Sequence, residues 1–161
     1  METFYIALRA IAYMTGFIFV FGWLALRVQT WDQSLQVELP SWTRTTGFVV
    51  MGAGALAALA CAGVFVVRGR GTPAVFDPPR QFVAAGPYKF VRNPMYIGGL
   101  MLLAGFGLYR RSLSILLFAL AVFALFHLFV IFVEEPGLQK RFGESYLVYK
   151  RSVNRWCLRF F

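Results

Sequence analysis

The stretch "GPYKFVRNPMYIGG", residues 86–99, joins a polar, turn-rich segment to an apolar run. Lys89 and Arg92, with Arg80 just upstream, stand beside Tyr88 and Tyr96 and beside Pro87 and Pro94. Gly and Pro at this density predict an irregular, ordered connection and not a helix. The run that follows, 95–109, is short and carries Gly98, Gly99, Gly105 and Gly107. Three other runs, 4–26, 47–67 and 113–133, reach the roughly 20 residues that a helical crossing needs. The fold class expected is an all-α integral membrane protein with about four transmembrane helices and a C-terminal amphipathic helix. It is read as one membrane domain over 1–161, with two helices in 1–67 and the remaining core in 68–161.

Composition agrees. The 161 residues are 59% hydrophobic, include 18 Phe and are only 14% charged, against about 25% charged in a soluble domain. The net charge of +9 does not point to nucleic acid, because no folded basic domain is left once the apolar runs are removed. Lys and Arg instead collect in cytoplasmic loops and meet anionic lipid. Residues 68–92 hold five cations against Asp77, and the tail after Glu135 holds six against Glu144. Residues 28–46 hold Asp32, Glu38 and Arg44 and suit the outside. Both termini are therefore expected in the cytoplasm, with Arg110 and Arg111 as an exception on the outer side. The first run resembles a signal sequence, with Arg9 before its apolar part. It lacks a small-x-small cleavage site at 22–26 and is expected to be retained. Cys61 and Cys157 have no metal-ligand spacing and read as reduced packing residues, so no metal is expected.

The tail changes character at Pro136. Leu138, Phe142, Tyr146, Tyr149, Val153 and Trp156 recur at spacings of three and four, which predicts one apolar helix face. Lys140, Arg141, Lys150, Arg151 and Arg155 cover the remainder. Proline suits a first helical position, so the last span is expected to kink at Pro136 and continue as a basic amphipathic helix.

Three polar clusters on the expected cytoplasmic side are candidates for chemistry. The loop 72–96 is one; as an anchor alone it would need no Pro-Gly-Tyr pattern. The second is Glu134-Glu135, two carboxylates at the C-terminal end of a long apolar helix. They oppose the helix dipole there, and acids at membrane depth are costly. An end-cap neutralised by Arg92 or Lys140 is the plainer alternative. The third is the Tyr146/Tyr149 pair, which also suits an aromatic belt. His127, the single histidine, lies seven residues before Glu134 on nearly the same helix face and reads first as an interhelical hydrogen-bond donor.

"GPYKFVRNPMYIGG", followed by "HLFVIFVEEPGLQKRFGESYLVYKRSVNRW" (residues 127–156), resembles the isoprenylcysteine carboxyl methyltransferase family. That family lies within a wider group of integral-membrane methyltransferases that includes the phospholipid N-methyltransferases. The resemblance covers about 71–156, and the first two apolar runs match nothing in particular. It implies S-adenosylmethionine bound at the cytoplasmic interface, between the loop before the third span and the last helix. By position it implies cofactor contacts at Gln81, Phe82, Val83, Tyr88, Asn93, Pro94, Met95, Tyr96 and Glu134. Arg92 and Glu135 are the expected catalytic pair. The family more often has His where this chain has Asn93; Asn still donates and accepts. Its eukaryotic member has a substrate-binding Arg where this chain has Val130.

The partners expected are a lipid-like small-molecule substrate and membrane lipids. A carboxylate acceptor would want a cation, and Arg92 is best placed; an amine acceptor must shed a proton to Glu135 or His127. Membrane sterol reductases, which bind NADPH, share the Arg-x-Pro-x-Tyr-x-Gly element and form one competing reading. A non-enzymatic membrane scaffold is the other.

Overall fold

The computed structural model describes residues 2–69, 82 and 84–157. Every element among them is helical. Helix α1 spans Glu2–Gln29, α2 Asp32–Leu35 and α3 Thr43–Val64, and α3 runs on through a π-turn at Phe65–Gly69. A 3-10 turn at Gly86–Lys89 leads to α4, Pro94–Arg110. Helix α5, Leu113–Phe129, continues through a second π-turn, Val130–Glu134, into α6, Glu135–Phe142; α7, Glu144–Ser152, follows.

Helices α3 and α4 pack backbone to backbone. A Cβ built on Gly54 would lie 2.7 Å from the Gly98 carbonyl, and one on Gly105 would lie 2.7 Å from the Met51 nitrogen. Gly47 meets Tyr109 in the same way, so the two helices run antiparallel. Only residues without a Cβ allow this approach, the usual basis of close helix association in lipid. On the other side, α1 meets α5 through rings, with Phe17 and Phe21 against Phe126 and Phe21 against Phe118. Ala25, Leu103, Ile115, Ala119 and Val122 fill the space between α1, α4 and α5.

Among the described residues three helical stretches are long and apolar enough to cross a membrane: Phe4–Leu35, Thr43–Val67 and Leu113–Phe142. Helix α4 has 17 residues, about 26 Å at 1.5 Å per residue, so the count of four spans is approximate. These features fit an integral membrane protein. The turn from α4 to α5 is tight, with Arg111 left-handed (φ 56) and the Ser112 hydroxyl accepting from the Ile115 N–H. The antiparallel pairings put the start of α1, the loop before α4 and the α6–α7 segment at one end of the bundle. Asp32, Arg110 and Arg111 are at the other. There Arg110 donates to the Gln29 side chain and Arg111 to the Leu39 carbonyl, which gives this pair of cations a structural use.

Two expectations about the tail are corrected. The helix passes Pro136 by widening: the Glu135 N–H bonds back to Val130 O in the π-turn, and Pro136 sits in the first turn of α6, where its missing N–H costs least. The break comes instead at Gly143, which has φ 55. Nor does the helix reach Trp156. It ends at Ser152, Val153 is extended, and the chain folds back so that Arg155 and Trp156 meet partners on the preceding helices.

Candidate functional site

Glu134 and Glu135 are neighbours in sequence that serve different surroundings, because successive helical positions project about 100° apart. Glu134 closes the π-turn and faces α4, where the Tyr96 hydroxyl donates to its Oε2 at 2.8 Å. Its Oε1 accepts no hydrogen bond among the described residues. Tyr96 is itself packed on Phe126 and, edge-on, on Trp156. Tyr88 lies nearby, fully buried, with its ring edge-on to Phe65. Burial pushes its phenol well above the usual value; Cys61 and Glu134 add to the effect.

Glu135 is buried among cations. Arg155 donates to both of its oxygens, Nε to Oε1 at 2.6 Å and Nη2 to Oε2 at 3.2 Å. Arg92 reaches Oε1 at 3.1 Å and Lys150 reaches Oε2 at 2.9 Å. Four donors occupy the roughly four lone-pair directions of a carboxylate. Hydrogen bonding to Glu135 also holds the Arg155 guanidinium above its ordinary value. Arg92 retains a buried Nε with no hydrogen-bond partner among the described residues. Its backbone is fixed as well, since the Arg92 N–H bonds to Asn154 O at 2.9 Å. Asn93 Nδ2 donates to Arg155 O at 3.3 Å. The loop before α4 and the chain after α7 are thus stitched together residue by residue.

The tail helices close the site from below. The Tyr149 hydroxyl donates to the Tyr88 carbonyl at 2.6 Å, and burial raises the Tyr149 phenol, which keeps that donor protonated. Tyr146 and Tyr149 are buried, so they are core residues and not an aromatic belt. Trp156 Nε1 donates to His127 Nδ1 at 2.8 Å. His127 is therefore an acceptor at Nδ1, and the proton of its neutral ring sits on Nε2.

Of the residues singled out in sequence, Tyr88, Asn93, Pro94, Met95 and Tyr96 lie on the strap and first turn that face Glu134 and Glu135, with Arg92 among them. Phe82 packs elsewhere, against Phe142, Tyr146 and Tyr149 of the tail. Gln81 and Val83 lie outside the described residues, as does the loop 70–81. Val130 is 1% exposed, inside the bundle. Lys150, Arg155 and Trp156 are the partners that sequence reading missed. It placed the two cations on a solvent face, and the one available signal was the surplus of cations in the tail. Lys140, proposed as a partner of the glutamates, is in no ion pair with them.

A model of the phospholipid methyltransferase family matches residues 42–145, nearly two thirds of the chain. No curated protein and no solved structure matches it. The match begins at Trp42 and so takes in α3, which the sequence reading left outside its resemblance. In the structure α3 packs directly along α4 through the glycine seam.

Proposed function

The chain belongs to the phospholipid methyltransferase family, and we propose that it moves a methyl group from S-adenosylmethionine to a membrane-dissolved acceptor at the cytoplasmic interface. The observation that carries this reading is the Tyr96–Glu134 pair: a half-buried carboxylate with one oxygen held and one open, set among the rings of Tyr88, Tyr96, Phe126 and Trp156. A carboxylate suits an ammonium or ribose hydroxyl, and aromatic faces tolerate a sulfonium beside them, so the residues present fit the cofactor. When bound, it supplies an electrophilic methyl group for an in-line displacement. The protein's part in such a displacement is alignment and exclusion of water.

Within this reading Tyr88, Asn93, Pro94, Met95, Tyr96 and Glu134 form the cofactor wall, while Phe82 packs on the tail helices and Gln81 and Val83 lie outside the described residues. Arg92 is the cation for the acceptor head group, held in place by Glu135. With its lone pairs occupied, Glu135 acts by positioning Arg92. Neither Glu135 nor His127, whose Nδ1 is committed to Trp156, has a free site for a proton. Glu134 Oε1 does, and it is the atom proposed to accept one from an amine head group. Val130 occupies the place of the arginine that would clamp a prenylcysteine carboxylate, so the acceptor proposed is a lipid with an amine, hydroxyl or carboxyl head.

Calorimetric titration of purified protein with S-adenosylhomocysteine and with NADPH tests the cofactor. Binding of the first and not the second is expected. Glu134→Gln should weaken it by a charge-assisted contact, roughly 1.5–3 kcal/mol, or about ten- to a hundredfold. Wild-type affinity in that variant would remove Glu134 from the site. Labelled S-adenosylmethionine supplied with N-acetyl-farnesylcysteine or with a total lipid extract tests the acceptor. Turnover confined to the farnesylcysteine would overturn the Val130 argument.

A further inference from the structure

Beside Glu135 an open cleft of about 560 Å³ runs between the π-turn and α7. Ile131, Pro136 and Gln139 line it, with Lys140, Lys150 and the Glu135 carboxylate. Neither Glu134 nor any residue of the proposed cofactor wall borders it. The charge around it does not balance. Arg92, Lys150 and Arg155 share one carboxylate whose lone pairs they fill. Lys140 is exposed and in no ion pair among the described residues. Arg92 does not line the cleft, so the cations that a ligand there would meet are Lys140 and Lys150, and the surplus of positive charge over the single Glu135 carboxylate leaves the cluster incomplete as it stands.

The surroundings say what would complete it. The cleft lies where the apolar stretch Leu113–Phe142 gives way to the basic tail. Leu128, Phe132 and Val133, next to it in sequence, are strongly exposed, as residues facing acyl chains are. A ligand with an anionic head at the lysines and hydrocarbon along α5 fits both halves. We propose that this cleft is a binding site for the phosphate of an anionic membrane phospholipid, separate from the acceptor, which holds α6 and α7 against the bilayer and so steadies the Arg92–Glu135–Arg155 cluster. The proposal is distinct from the cofactor reading, since no residue of the proposed cofactor wall lines the cleft.

Native mass spectrometry of the full-length protein from neutral detergent tests it. Phosphatidylglycerol, phosphatidylethanolamine and diacylglycerol with the same acyl chains are offered in equal amounts. Phosphatidylglycerol should be retained in preference to both zwitterionic phosphatidylethanolamine and uncharged diacylglycerol. Lys140→Gln, at an exposed position, should cut that preference about fivefold, the value of one basic residue near an anionic surface. Arg141→Gln, a neighbouring cation outside the cleft, should leave it unchanged. Equal losses in the two variants would mean diffuse surface charge and would overturn the site, as would no loss in Lys140→Gln. Retention of the amine-headed lipid alone would make the cleft part of the acceptor site and overturn its separateness. S-adenosylhomocysteine affinity measured on the same samples tells the two readings apart: its absence from wild type with lipid retention intact sinks the methyltransferase proposal, not this one.

Discussion

The bundle carries arginine–carboxylate pairs at both ends, and the two ends are built differently. At the α2 end, Arg111 meets Glu38 at 3.6 Å, with side chains 38% and 92% exposed, and the neighbouring contacts tie a loop to adjacent helix ends. At the α6 end, a carboxylate only 6% exposed gathers three cations that come from the strap before α4, from α7 and from the chain beyond it. An exposed pair gains little, since water competes for both partners. A buried one is expensive to leave half made. A basic end that served only to orient the protein would resemble the first. The second spends its charges inward, on holding the strap before α4 and the chain after α6 to one buried carboxylate.

The comparison is most exposed to Glu135→Gln. That variant leaves three cations clustered without a counter-charge, and breaking a buried pair in this way costs roughly 3–5 kcal/mol, toward the low end because Lys150 and Arg155 retain contact with water. A large fall in thermal midpoint in detergent is expected, together with loss of S-adenosylhomocysteine binding. A midpoint within a degree of wild type would show that the buried end is no different from the exposed one.

Trp156→Phe sharpens the same point on a neutral contact. It keeps a ring against Phe123 and Tyr96 but removes the donor to His127. The expected cost is that of one hydrogen bond, about 1 kcal/mol, read as a modest drop in midpoint. It should also quicken hydrogen exchange in the segment after Ser152. Unchanged exchange there would mean that the fold-back is held by Arg155 alone.

Smallest of all should be Glu38→Gln at the other end. An exposed pair contributes roughly 0–1 kcal/mol, so the midpoint should barely move. A drop comparable to that of Glu135→Gln would erase the distinction between the ends.

The sequence by itself determined the membrane class and placed the four apolar helices to within a few residues, though not the tail, which breaks at Gly143 and ends at Ser152. Apolar run length and the Gly-Pro-Tyr strap are local properties, written in consecutive residues. Asn93, Tyr96 and Glu134 were singled out by motif order, and of these Tyr96 and Glu134 meet in the structure. Three things were decided only in the tertiary structure. The resemblance assigned Glu134 to the cofactor and Glu135 to the catalytic pair, but only the tertiary structure set Glu134 against Tyr96 and closed three cations around Glu135. Arg155 and Trp156 continued a helical spacing that would have left Arg155 in solvent. They leave the helix because Glu135 and His127, far back in the chain, offer a buried carboxylate and a ring nitrogen that water cannot match. The glycines of α3 read as generic small residues until α4 was laid against them. Periodicity reports what each segment would do alone, whereas partners separated by 20 to 62 residues are fixed only when burial makes an unsatisfied charge or donor too costly to leave.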